Sequence, residues 1–160
     1  MWNKKQMKVS CFYKSPIGWI KTLEREKSLV RLSFVQTICK PQKVSQFQKE
    51  LDHYFNTGMI DRKIKFIAEG TTFQKEIWEI VKRIPKGKTK TYKQIALTYG
   101  NINSIRAVAN AIGKNPILLF IPCHRVIGSD GSMTGFAGGI ERKKWLLEHE
   151  GASIQKTLDL

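Results

Sequence analysis

The chain has 160 residues, of which 41% are hydrophobic, and 28 Lys and Arg against 13 Asp and Glu give it a formal net charge of +15. A chain of this length buries about two thirds of the surface its unfolded form exposes, so one compact unit or two small ones are expected and disorder is not. No apolar run approaches the roughly 20 residues that span a bilayer, and the start, Met1 to Gln6, is polar and basic without a leader-like apolar stretch, so a cytoplasmic protein is expected.

The three cysteines, Cys11, Cys39 and Cys123, are widely spaced and form no Cys-x-x-Cys pair, which argues for free thiols in a reducing compartment. Cys11, Cys39 and His53 are too irregularly spaced to read as metal ligands, and no cofactor is expected. So basic a globular protein commonly has a polyanionic partner, nucleic acid first and a membrane surface second, although a Lys-rich composition can also serve solubility alone. The distribution narrows this. Between Ile80 and Ser129 there is no acidic residue, while Lys82, Arg83, Lys86, Lys88, Lys90, Lys93, Arg106, Lys114 and Arg125 are all positive, a candidate phosphate-facing region.

In chain order, Lys8 to Tyr13, Gly18 to Leu23 and Leu29 to Phe34 read as strands of an antiparallel meander, separated by Ser15-Pro16 and by charged Glu24 to Lys27. After Pro41 the residues Val44, Phe47, Leu51, Tyr54 and Phe55 recur at helical spacing until Asn56 and Gly58 stop the pattern. Lys63 to Ala68 is a further candidate strand, and Gly70 marks the boundary between a sheet-plus-helix domain, 1–70, and a mostly helical domain, 71–160. The fold class is therefore mixed, α+β.

Thr71 with Gln74 has the form of a capping box for a helix whose face carries Phe73, Ile77, Ile80 and Val81. Tyr92 to Tyr99, a turn at Gly100 to Asn103, and Ile105 to Ile112 capped by Ser104 suggest a helix-turn-helix, although antiparallel helix pairs are common in any helical domain. The run Ile117 to Ile121 reads as a buried strand interrupted by Pro122 and resumed at Val126-Ile127. Gly135 to Gly139 is too glycine-rich for an element interior and reads as a loop that can approach a ligand closely; Ile140 to Glu150 is the last helix, stopped by Gly151.

Cys123 stands beside His124 and Arg125. Such neighbours lower a thiol's pKa and raise its reactive fraction, whereas a cysteine after an apolar strand is more often structural. Adjacent residues in an extended chain face opposite ways, so His124 would need a bridging water to reach the sulfur. Glu150 sits where the helix macrodipole disfavours a carboxylate; a hydrogen bond from His124 would compensate and fix the imidazole tautomer, or the residue is simply exposed. Arg106 and Tyr92, near the starts of the two short helices, are candidates for phosphate or base contact, or ordinary surface residues. Gly87-Lys88-Thr89 imitates the end of a phosphate-binding loop, but that motif requires glycine where this chain has Lys82.

These motifs stand in a fixed order: Tyr92-Lys93-Gln94-Ile95-Ala96, Arg106-Ala107-Val108-Ala109, Asn115-Pro116, Pro122-Cys123-His124-Arg125-Val126-Ile127, Gly135-Phe136-Ala137-Gly138-Gly139 and Trp145-Leu146-Leu147-Glu148-His149-Glu150-Gly151. From about Thr72 to Gly151 the sequence thus resembles the O6-methylguanine-DNA methyltransferases, also called methylated-DNA-protein-cysteine methyltransferases. The first 70 residues are similar to the family's ribonuclease-H-like amino-terminal domain in outline only, and the zinc ligands of some relatives have no match here.

The resemblance implies that Cys123 accepts an alkyl group from O6 of guanine, once and irreversibly, with His124 as base through water and Glu150 orienting it. It implies that Asn115 braces the junction between recognition helix and active-site segment, and that Tyr92 helps rotate the nucleotide outward and donates a proton near the guanine oxygen. Arg106 would fill the gap left in the duplex, with Thr91, Ser104, Ala107 and Arg125 also on DNA. Val126, Met133, Gly135, Phe136, Ala137 and Gly138 would line the pocket. The implied partner is double-stranded DNA containing alkylated guanine, bound through the minor groove by a monomer, with cooperative binding and O4-alkylthymine as open extensions. Three other readings stay in view: a non-catalytic lesion sensor, against which Cys123 speaks, an ordinary helix-turn-helix DNA-binding protein, and a thiol hydrolase that would turn over repeatedly on an acyl substrate.

Overall fold

The computed structural model describes residues 7–38, 43–61, 63–133 and 135–153. It divides into two compact units, Met1–Glu69 with Pro116–Leu118, and Gly70–Asn115 with Leu119–Leu160.

The first unit is built on strands β1 (Val9–Ser15), β2 (Gly18–Arg25) and β3 (Ser28–Val35), paired antiparallel in that order. Alternation decides the register: Ile20, Thr22 and Glu24 of β2 all face inward, and Ile20 lies opposite Tyr13 on one side and Phe34 on the other. Helix α1 (Gln48–Thr57) buries Leu51, Tyr54 and Phe55 and ends on Gly58 in the left-handed conformation.

Three expectations change in this unit. The helix starts at Gln48, because Val44 forms an isolated bridge with Phe12 and is exposed, while Ser45 turns inward to hydrogen-bond Glu24. Lys63 to Ala68 contributes only a bridge between Phe66 and Leu29. Residues 116–118 join this unit, where Leu32 donates its N–H to the Pro116 carbonyl at 3.0 Å and accepts that of Leu118 at 3.2 Å, so a boundary at Gly70 alone is incomplete. Met1 to Gln6, Cys39 and Pro41 lie outside the described residues.

The second unit opens with α2 (Thr72–Lys82), whose Thr71–Gln74 capping box is formed as expected. Ile77, Trp78 and Val81 are its buried face, and the Trp78 indole N–H donates to the Ala111 carbonyl at 2.8 Å, tying α2 to α4 (Ile105–Gly113). Between them lies α3 (Tyr92–Tyr99), ended by Gly100 at φ 99°, so α3 and α4 form the helix-turn-helix pair. Ser104 takes the N-cap position of α4 but makes no side-chain capping bond: Ile102–Ser104 is a 3-10 turn capped by Asn101, and the Ser104 hydroxyl donates to the Asn101 carbonyl.

The two-residue strand β4 (Lys90–Thr91) pairs in parallel with β5 (Val126–Ile127). That short ladder sets the start of α3 beside the segment carrying Cys123. Helix α5 (Ile140–His149) closes the unit, with Glu150 as its C-cap and Gly151 at φ 75°. Among the described residues no helix is long and apolar enough to cross a membrane.

Candidate active site

The run Ile117 to Ile121 is buried throughout but is not a strand; it turns, with Leu119 at φ 72°. A leucine there pays of order 1–3 kcal/mol in backbone strain, which the burial of its side chain at 1% exposure offsets. The turn delivers Cys123, His124 and Arg125 as one 3-10 turn instead of an extended segment, so their side chains do not alternate between two faces. All three are buried.

His124 is fully buried and its Nε2 lies 2.7 Å from Glu150 Oε1. Arg125 reaches the same carboxylate, with Nε 2.8 Å from Oε2 and Nη2 3.0 Å from Oε1, while Nη1 donates to the Ile84 carbonyl at 2.7 Å. Burial pushes the Glu150 carboxyl up, but the hydrogen bonds and charges of His124 and Arg125 outweigh it and hold the pKa at about 2. An ionised carboxylate only accepts, so the His124 proton sits on Nε2 and Nδ1 is left as an acceptor. Nδ1 is buried and has no hydrogen-bond partner among the described residues. Burial also lowers the His124 pKa, against the pull of Glu150, so the imidazole is neutral.

Arg125 therefore does not face phosphate; it is 8% exposed and engaged with Glu150. Nor do His124 and Arg125 make a ready thiolate. Burial pushes Cys123 up from 9.0 to about 11, against hydrogen bonding from Asn115 and the charge of Lys143. One neighbour is neutral and the other is engaged elsewhere.

Asn115 joins two parts of the site. Its Nδ2 donates to the Ile121 carbonyl at 2.7 Å, and its side chain hydrogen-bonds the Cys123 sulfur. Tyr92, half-buried at the first turn of α3, is close enough to Cys123 that the thiolate charge adds to burial in raising the phenol's pKa. Gly135 lies against it: a Cβ there would come within 3.2 Å of the Tyr92 hydroxyl, at a φ of +84°. Thr91 caps α3 in a second capping box, its hydroxyl oxygen accepting the Gln94 N–H.

Val126 and Gly138 are buried and Met133 is half-buried, whereas Ala137 is exposed. Phe136 is buried, with its ring centroid 6.3 Å from that of His124, edge to face. Arg106 and Ala107 are exposed at the start of α4, and Ser104 is half-buried. Of the nine cations between Ile80 and Ser129, all but Arg125 and Lys82 are exposed; Lys82 is half-buried and pairs with Glu79 at 2.8 Å.

Lys143 is the residue that sequence reasoning missed. It is fully buried on α5, with Nζ 2.5 Å from the Val126 carbonyl, and burial lowers its pKa to about 8 against the pull of Cys123. Its signal was positional: Lys143, Leu146, Leu147 and Glu150 follow i, i+3, i+4, i+7, so a lysine and a glutamate occupy an otherwise apolar stripe.

Residues 72–152 match the family described as 6-O-methylguanine DNA methyltransferase, DNA binding domain. A methylated-DNA–protein-cysteine methyltransferase of Methanosarcina barkeri is 40% identical over 151 residues, covering 88% of this chain and 96% of that protein. One of Haemophilus influenzae is 36% identical, covering 87% and 84%. Among solved structures, an O6-methylguanine methyltransferase of Mycobacterium tuberculosis superposes with a TM-score of 0.80 at 33% identity, covering 91% of this chain and 93% of that one. The Mycobacterium tuberculosis OGT in complex with DNA gives 0.79 at 33% identity, covering 94% and 99%. Similarity spread over both units, with the family match enclosing the whole Cys123–His124–Glu150 cluster, makes this chain a member of the methylated-DNA–protein-cysteine methyltransferase family.

Proposed function

We propose that this protein repairs DNA by direct reversal, moving an alkyl group from O6 of guanine to the Cys123 sulfur. The observation that carries the reading is the His124 ring: Nε2 held by an ionised Glu150, and Nδ1 buried as an acceptor in the turn that bears the thiol. With Cys123 at about 11, the resting sulfur is protonated, and a base must take its proton as the reaction begins.

The thiol proton passes through a bridging water to His124 Nδ1, and Glu150 stabilises the imidazolium that forms. Sulfur attacks the alkyl carbon, the carbon–O6 bond breaks, and its electrons go to the purine, which takes a proton from the Tyr92 phenol as guanine leaves, while the proton held on His124 returns through water to the phenolate. Tyr92, whose raised pKa keeps its phenol protonated, is suited to donate a hydrogen bond to the departing base. The product is a thioether. It offers no carbonyl for water to attack, so each molecule acts once.

The exposed cations and Arg106 support a DNA partner. In this reading α4 enters the minor groove, Arg106 fills the space left by the extruded nucleotide, and Thr91, Ser104 and Ala107 flank the backbone. The protein acts as a monomer in a reducing cytoplasm, one molecule per lesion.

Incubation with duplex DNA containing O6-methylguanine should add one methyl group to Cys123, seen by peptide mass spectrometry, in a one-to-one burst without turnover. Repeated turnover, or a methyl group elsewhere, would overturn this function. Arg106→Ala should slow repair of duplex far more than reaction with the free base, because the free base needs no extrusion. Equal slowing would remove the gap-filling role.

A further inference from the structure

The Glu150 carboxylate serves two neighbours at once. Oε1 lies 2.7 Å from His124 Nε2 and 3.0 Å from Arg125 Nη2, and Oε2 takes Arg125 Nε at 2.8 Å. The guanidinium is anchored on its far side by the Ile84 carbonyl at 2.7 Å, so it cannot leave the carboxylate without losing a buried hydrogen bond. Facing a buried imidazole alone, an ionised carboxylate would favour the imidazolium. An imidazolium has no lone pair with which to accept the thiol proton.

We propose that Arg125 is a positioning residue for the transfer reaction, holding His124 neutral and protonated on Nε2 by neutralising and orienting the carboxylate the two side chains share. The inference rests on the alkyl-transfer reading, and concerns why His124 can act as a base there. Arginine suits the task because it stays charged at every working pH and grips both carboxylate oxygens in one plane. Burial is the largest influence keeping the imidazole neutral; of the groups facing His124, Glu150 at the end of α5 opposes it, and Arg125 and Lys143 act in the same sense as burial and offset that pull.

Without the guanidinium, the His124–Glu150 pair takes up a proton at higher pH. The acid limb of the rate profile, where activity is lost as His124 charges, then moves upward. Single-turnover transfer from an O6-methylguanine duplex, followed from pH 5 to 9 in Arg125→Met and Arg125→Lys, reads this directly. Relative to the unsubstituted protein, Arg125→Met should be slowed increasingly as the pH falls, approaching about tenfold for each unit by which the limb is displaced once the pH is below both limbs, with Arg125→Lys between the two. In parallel, nitrogen NMR of the His124 ring without DNA should show a neutral, Nε2-protonated imidazole at pH 7 in the unsubstituted protein and a higher titration midpoint in the variants. A uniform slowing with an unmoved profile and midpoint, or failure of both variants to fold, makes Arg125 a strut of the fold and overturns the proposal. If the unsubstituted protein transfers no methyl group at any pH, the function itself fails, while the ring titration still reports on Arg125.

Discussion

Each unit of this protein buries a cysteine near a glutamate, and the two pairs are built differently. In the first, Glu24 accepts from the hydroxyls of Thr22 at 2.6 Å and Ser45 at 2.5 Å and from the Gln46 N–H at 3.3 Å, all neutral donors. Cys11 hydrogen-bonds that carboxylate, and burial together with the nearby negative charge raises its pKa. In the second, the carboxylate meets a guanidinium and an imidazole, and the thiol is set apart from it, against Asn115 and within the field of Lys143. Burial is the largest cause that raises the pKa of both thiols. Each thiol also has a lysine whose charge pulls its pKa down, Lys43 for Cys11 and Lys143 for Cys123, so the second site differs in carrying His124, with its buried Nδ1, in the same turn as the thiol.

The largest contrast should appear on removing the sulfurs. Cys123→Ala should abolish methyl transfer to the protein, while Cys11→Ala should transfer at the unsubstituted rate, both read by mass spectrometry after a single turnover. Transfer surviving in Cys123→Ala would erase the distinction between the two sites.

Next come the carboxylates. Glu150→Gln leaves a buried guanidinium facing a neutral amide, at a cost of about 3–5 kcal/mol, and slows transfer on the order of a hundredfold or more because the imidazole loses its orienting anion. Glu24→Gln faces only neutral donors and should cost about 1–2 kcal/mol with transfer unchanged. Urea denaturation and single-turnover rates measure both; equal destabilisation would mean that the cations of the second site do not distinguish it energetically.

Acid should expose the same difference. Glu150 lies at about 2 in the folded protein against 4.5 for a free carboxyl, so its share of stability, about 3 kcal/mol, is present above pH 4.5 and lost as the pH falls towards 2. His124, with its folded pKa lowered from 6.5, acts in the same direction, since the unfolded chain binds the extra proton first. Stability measured at pH 7, 5 and 3 should therefore fall less steeply below pH 5 in Glu150→Gln than in the unsubstituted protein. Parallel curves would place the acid sensitivity elsewhere.

How far the sequence disclosed this arrangement depends on the range of each interaction. The strands and helices α2, α3 and α5 follow local periodicity and caps, and they were legible to within a few residues. The pairing of His124 with Glu150, 26 residues apart, could be inferred from a carboxylate in an unfavourable place on a helix. Arg125 was misread as a surface cation because charge counting cannot see which guanidinium has a buried partner. Lys143 was hidden by the same habit, although its place in an apolar stripe was visible. The run from Ile117 to Ile121 is as apolar as a buried strand, and nothing local announces the left-handed leucine that turns it. Its outcome is set by residues 116–118 joining β3 while Leu119 onward belongs to the other unit.

The smallest and most discriminating comparison lies between the two capping boxes. Thr71 with Gln74 and Thr91 with Gln94 make the same pair of hydrogen bonds, at 2.9 and 3.1 Å in each case. Thr71→Ala and Thr91→Ala should thus each cost about 1 kcal/mol in thermal or chemical denaturation. Only Thr91 is followed by a residue of the site, because β4 pairs with β5 and α3 begins at Tyr92 beside Cys123. A frayed first turn of α3 lets the phenol leave its place against Gly135, where a Cβ would come within 3.2 Å of the hydroxyl. Thr91→Ala should therefore slow transfer several-fold under conditions where both variants are fully folded, Thr71→Ala should not, and Thr91→Ser should restore both stability and rate. Equal rates in the two alanine variants would show that the cap serves the helix alone and that Tyr92 is positioned by its packing.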